Sequence, residues 1–321
     1  VSMSIYTVKR YSLYKFIGLS FALIYGFFIV GSLQYLYSVG SGDINAYIDF
    51  FEDIDIFTTY NEYSIRGDGV FRVLVIFIGN YFNLEPITVL SYFAFIMSSL
   101  IFCIYAIHIR STKYLIYILP IFLMIFFTPM VSNLFASGIR SGISFTILMI
   151  SFIYFKGLPK YILFGLSSVI HLSMMPIIAL YILYHMLKRI RIKSPFIVPL
   201  FILALISFFI VIASYILNFN VTPINSSNLF NVLILFLGLL MIFSSKKVFK
   251  NIYGFISIGM IFIYLFGFII DLSFSRYIGN AIILYLFFLI NRGELGTIQV
   301  FTAGYIPFFF LVSFYAISNT S

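Results

Sequence analysis

The chain has 321 residues, of which 62% are hydrophobic and 9% charged, with a mean hydropathy of +1.11, so it holds too few polar side chains to cover a water-soluble fold and takes lipid as its solvent. Its formal charge of +9 comes in short clusters between apolar runs, not on one amphipathic face, which is an orientation signal and excludes a nucleic-acid surface. One cysteine, Cys103, lies inside an apolar run and excludes both a disulfide framework and a thiolate metal site.

In chain order, Lys9, Arg10 and Lys15 precede a first apolar run at 16–37, which ends at Gln34-Tyr35-Leu36-Tyr37 without a small-x-small cleavage site and is read as an uncleaved anchor. The stretch 38–67 is the longest polar connection. Its Asp43, Asp49, Glu52, Asp53, Asp55 and Glu62 alternate with Tyr47, Ile48, Phe50, Phe51 and Ile54, a pattern for an amphipathic surface helix. The segment 68–85 is apolar, but counting it as a span would put Arg110 and Lys113 outside; it is therefore expected to be re-entrant or interfacial. Further apolar runs lie near 87–108, 114–132, 139–155, 195–217, 228–245, 252–271, 277–291 and 298–318, with a polar loop at 218–227.

Basic clusters that stay cytoplasmic are Lys9/Arg10/Lys15, Arg110/Lys113, Lys156/Lys160, Lys188/Arg189/Arg191/Lys193, Lys246/Lys247/Lys250 and Arg292. Between Lys160 and Lys188 a single apolar segment, 161–187, has to leave that face and return to it. Two half-helices meeting at His171-Leu172-Ser173-Met174-Met175-Pro176 satisfy this, with Pro176 expected as the helix breaker and a cavity implied beside the break. The expected fold is all-α: a single transmembrane domain over 1–321 with about nine full spans. An extracytoplasmic loop at 38–85 carries amphipathic and re-entrant helices, and 161–187 forms a broken or re-entrant pair. Reporter fusions after Lys188 and after Lys246 are both expected to report cytoplasm; an outside signal at either overturns the assignment of 161–187.

Of the 19 Lys and Arg, 15 belong to those clusters, and the remaining four, Arg66, Arg72, Arg140 and Arg276, fall on the opposite face with nine of the ten acidic residues. Arg140 stands in Ser137-Gly138-Ile139-Arg140-Ser141-Gly142-Ile143-Ser144 at the outer start of a helix, where glycines admit close approach and the helix terminus supplies donors and a positive dipole. Arg276, in Asp271-Leu272-Ser273-Phe274-Ser275-Arg276-Tyr277, stands at a second such start. Guanidinium groups hold phosphate oxygens bidentately and keep their charge, so this set suits a pyrophosphate. The plainer alternative makes each an interface anchor or a partner of a nearby carboxylate, and His171 a structural hydrogen bonder. No His pair or His-carboxylate cluster has metal-ligand spacing, and no Gly-x-Ser-x-Gly elbow is present.

The run from Phe135 through Gly138, Arg140, Gly142 and Phe145, followed by Ile170-His171-Leu172-Ser173, resembles the Arg-x-Gly and His-x-Ser elements of the EpsG-like family of Wzy-type polysaccharide polymerases. Asp43 with Tyr47, Gly69-Val70-Phe71-Arg72 and Ser275-Arg276-Tyr277 extend the similarity over most of the chain. The resemblance implies a GT-C-like membrane glycosyltransferase of O-antigen, capsule or exopolysaccharide synthesis. It would work at the outer face of the bacterial cytoplasmic membrane, without cofactor or metal. Donor and acceptor would both be polyprenyl-pyrophosphate-linked oligosaccharides, and a flippase and a chain-length regulator would be its partners.

In that reaction Arg140 and Arg276 would bind the donor pyrophosphate with Arg72 assisting, His171 would orient the phosphate or the acceptor hydroxyl, and Asp43 or Asp271 would be the base. Two other classes compete. A lipid-linked oligosaccharide flippase also needs cationic residues but should carry inverted repeats, which are not visible. A ligase would share the phosphate-binding logic and differ in its acceptor. An acyltransferase is a third, with only His108 and Arg110 to support it.

Overall fold

The computed structural model describes residues 2–40, 44, 48, 69–108, 123–189, 197–216, 228–244, 248–269, 275–291, 302 and 304–307. Among these the chain is helical, with no strand. The helices are α1 (Ser2–Ser38), α2 (Gly69–Phe82), α3 (Pro86–His108), α4 (Pro129–Ala136), α5 (Ile139–Tyr154), α6 (Leu158–Ile170), α7 (Met175–Arg189), α8 (Ile197–Ile216), α9 (Asn228–Phe243), α10 (Ile252–Ile269) and α11 (Ser275–Asn291). Three-residue 3-10 turns occupy Leu172–Met174 and Val248–Lys250.

Three of the described helical stretches are long and apolar enough to cross a membrane: Phe16–Ser38, Pro86–His108 and Ile252–Ile269. Shorter apolar stretches lie in α2, α5, α6, α8, α9 and α11. The expected spans at 139–155, 195–217, 228–245 and 277–291 correspond to these shorter helices. Of the run at 114–132 residues 123–132 are described, with a turn at Phe127 and a bend at Thr128 before α4, while most of 298–318 lies outside the described residues. A helix satisfies its own backbone polar groups, so a chain of apolar helices with large exposed Phe, Leu and Ile side chains points to a multi-pass membrane location.

The chain forms two compact units, Val1–His108 with Ser132–Met175, and Ile109–Val131 with Pro176–Ser321. In the first, α1 packs along α3. The approach is close because the contact residues are small: Gly18 faces Ala106, and Gly26 faces Ser99 and the ring of Phe95. α2 folds back along α3 through a short turn in which Asn83 takes the left-handed conformation (φ 53°) and the Leu84 N–H bonds the Gly79 carbonyl at 2.9 Å. Pro86 then opens α3, where its missing N–H costs nothing. Next, α5 and α6 form a hairpin over Gly157, whose φ of 62° suits a residue without a side chain.

α6 ends at His171, an extended residue (φ −153°, ψ 112°) whose N–H still bonds the Ser167 carbonyl at 3.1 Å. Pro176 is not what breaks the chain here. It is the second residue of α7, in a first turn that needs no backbone donor there.

In the second unit α11 is enclosed, buried at every residue from Tyr277 to Ile290. Hydroxyls tie its neighbours together in the way lipid favours, Ser257 Oγ donating to the Ala281 carbonyl at 2.7 Å and Ser207 Oγ to the Gly259 carbonyl at 3.2 Å.

Candidate functional site

Of the six residues singled out from the sequence, Arg72, Arg140 and His171 belong to the first unit. Arg276 is the second residue of α11, in the second unit. Asp43 and Asp271 lie outside the described residues.

The hairpin of α5 and α6 sets the site. Its register follows from two hydrogen bonds: Ser151 Oγ donates to the Lys160 carbonyl at 3.2 Å, and Ser167 Oγ donates to the Ser144 carbonyl at 2.9 Å. Each helix advances seven residues between them, two turns, so the two run antiparallel at matched rise. One further turn along both arrives at Arg140 on α5 and at His171 just past the end of α6, which places the two at the same level. His171 is half-buried with Nε2 shielded from solvent, and Nη1 of Arg140 is shielded likewise.

Arg72 enters from α2, which packs on both α3 and α6. Phe71, Val75 and Ile76 lie on the buried face of α2, and Arg72, three and four residues before Val75 and Ile76, shares it at 7% exposure, with Nε and Nη1 shielded. The Phe71 ring lies 6.4 Å from that of Phe93, the eighth residue of α3, so Arg72 sits alongside a point about 10 Å down α3 from Pro86. A buried arginine in an apolar helix is costly, which makes Arg72 a candidate functional residue.

The first turn of α5 carries no side-chain cap. Its N-cap, Gly138, makes no side-chain cap bond, and its own N–H closes the preceding turn on the Asn133 carbonyl at 2.8 Å. A first turn without a side-chain cap, beside an arginine, offers N–H donors and a positive dipole to an anion. Behind it, Gly142 leaves room for α4: a side chain there would meet the Leu134 carbonyl oxygen and the Phe135 ring.

The sequence motifs contain Ser144 and Ser141 but give neither a role. Ser144 is fully buried and Ser141 is 1% exposed. The signal for the hairpin register was the equal spacing of Ser144 to Ser151 and Lys160 to Ser167 on helices joined by a glycine turn. Among the described residues no group of three or more His, Cys, Asp or Glu side chains converges as metal ligands would. Comparison with protein-family models, with curated proteins and with solved structures finds no match to this chain.

Proposed function

We propose that this chain is a membrane glycosyltransferase of the polysaccharide-polymerase type, moving a growing glycan from polyprenyl pyrophosphate onto a lipid-linked repeat unit at the outer face of a bacterial cytoplasmic membrane. The observation that carries the reading is the level placement of Arg140 and His171 across the α5–α6 hairpin, in the same unit as the buried Arg72. The proposal includes the GT-C-like architecture with about nine spans named from the sequence, and a flippase and a chain-length regulator as partners.

The chemistry follows from the groups present. The anomeric C–O bond to the pyrophosphate breaks, and the leaving group departs as polyprenyl pyrophosphate carrying the electron pair. Arginines stabilise the charge that develops on its oxygens, the role a metal ion plays elsewhere. The acceptor hydroxyl forms the new glycosidic bond, and its proton passes late to a carboxylate, Asp43 or Asp271, as bond formation completes. His171, level with Arg140, would align the acceptor hydroxyl or a phosphate oxygen.

The test is the glycan profile of a strain lacking the protein, restored with wild type or with Arg140→Ala. Collapse of the ladder to single capped repeat units, rescued by wild type alone, supports a polymerase with Arg140 in its site. Full-length polymer stranded on polyprenyl pyrophosphate would instead make it a ligase, and repeat units trapped on the cytoplasmic leaflet would make it a flippase.

A further inference from the structure

Hydroxyls in the helices of this chain have a regular habit. Ser20, Ser91, Ser98, Thr146 and Ser168 each donate to the carbonyl four residues earlier, at 2.6–3.0 Å. Ser151 and Ser167 donate across the α5–α6 hairpin instead. Ser141 and Ser144 do neither. Both hydroxyl oxygens are buried and have no hydrogen-bond partner among the described residues, although Thr146 in the same helix makes the usual bond. A third buried hydroxyl of this kind, Ser99, is packed against Gly26 of α1. Ser141 and Ser144 stand in the first two turns of α5, around Arg140.

Their direction follows from helix geometry. Cα–Cβ bonds tilt toward the helix N-terminus, so a side chain covers the turn before its own. Ser144 therefore overlies the first turn of α5, on the face shared by Arg140 one turn earlier, and Ser141 leans toward the same helix start. An unsatisfied buried hydroxyl is destabilising, and two of them beside an arginine and an N-terminus without a side-chain cap are the donors a phosphoryl oxyanion needs.

We propose that Ser141 and Ser144 are the neutral donors of a phosphoryl-binding site at the start of α5, each giving its O–H to an oxygen of the phosphate or pyrophosphate that Arg140 holds. The proposal deepens the function given above and rests on it for the identity of the ligand. Charge comes from Arg140 and the helix terminus; the serine hydroxyls fix which oxygens face it. They also replace water on the oxyanion without adding a second cation that would hold the product back.

The experiment titrates full-length protein in lipid nanodiscs with inorganic pyrophosphate and with farnesyl pyrophosphate, alongside the melting temperature without ligand. Ser141→Ala/Ser144→Ala is expected to weaken binding of either probe by about ten- to a hundredfold, since two donors to a charged acceptor are lost. Its melting temperature without ligand is expected to hold or rise, because the alanines remove unsatisfied hydroxyls. A merely structural role moves stability down and leaves affinity alone, so that result overturns the proposal, as does a wild type that binds neither probe. If the double variant fails to fold, Ser144→Cys, nearly the same shape but a weaker donor, is expected to weaken binding in the same direction by a smaller factor. Tighter binding of the farnesyl probe assigns the site to a lipid-linked diphosphate, and equal binding assigns it to free pyrophosphate. Lost affinity in the serine variant while Arg140→Ala still makes full-length polymer would keep the anion site and remove the polymerase reading. Unchanged affinity in the serine variant, with polymer lost in Arg140→Ala, would do the reverse.

Discussion

Arg140→Lys is expected to shorten the polymer almost as severely as Arg140→Ala, with in vitro transfer reduced by about a hundredfold or more, as when one donor to a developing oxyanion is removed. Lysine keeps the charge, so a site needing only a positive potential would tolerate it. It loses the planar fork that grips two oxygens at once. The geometry makes that loss matter: Arg140 is the second residue of α5, its Nη1 is shielded from solvent, and the packed hairpin sets its level against His171. An ammonium on a flexible stem cannot reproduce two parallel N–H donors from that position. Measured chain-length distribution and single-turnover transfer decide it, and full-length polymer from Arg140→Lys would remove the bidentate pyrophosphate from the mechanism. Arg72→Lys is the companion variant, since Arg72 is buried among Phe71, Val75 and Ile76 and cannot move without disturbing α2.

Much of the helical architecture is legible in the sequence because lipid leaves the backbone few alternatives. The runs at 16–37, 87–108 and 252–271 are predominantly apolar, and the three long helical stretches Phe16–Ser38, Pro86–His108 and Ile252–Ile269 fall on them. The site is less legible, since its geometry depends on contacts across helices. The level of Arg140 against His171 is set by hydroxyl-to-carbonyl bonds spanning 9 and 23 residues, and single serines in an apolar chain do not announce their partners. The interruption after α6 shows the same limit. Pro176 is the visible breaker, yet a proline in a first turn is harmless, and the residue that turns the chain is an ordinary histidine in extended conformation. The turn at Asn83 likewise depends on one left-handed residue, which asparagine tolerates but does not dictate. Division into two compact units leaves no mark in composition, because both face the same solvent. Arg72 was found as an outlying charge; its burial on the packed face of α2 becomes visible only once α2 is folded against α3 and α6.

Gly142→Ala is expected to destabilise the protein by about 1–3 kcal/mol, the cost of overpacking a filled interface. A Cβ on Gly142 would lie 2.7 Å from both the Leu134 carbonyl oxygen and Phe135 Cδ1, and 3.3 Å from Phe135 Cα. Two of these atoms are backbone, and the Phe135 ring is itself buried, so no side-chain rotation relieves the clash. The start of α5 would have to move away from α4, carrying Arg140, Ser141 and Ser144 with it. Activity should therefore fall further than stability: misplacing a positioned group by about 1 Å can cost about a hundredfold in rate. Gly165→Ala is the control, in α6 of the same hairpin with nothing within 4 Å of an added Cβ, and is expected to stabilise by about 0.5–1 kcal/mol through helix propensity alone. Thermal unfolding of both variants beside their polymer length separates the cases. Equal melting of Gly142→Ala and wild type would mean that α4 does not hold the start of α5. Reduced stability with undiminished polymer would mean that the position of that helix start is not what the reaction depends on.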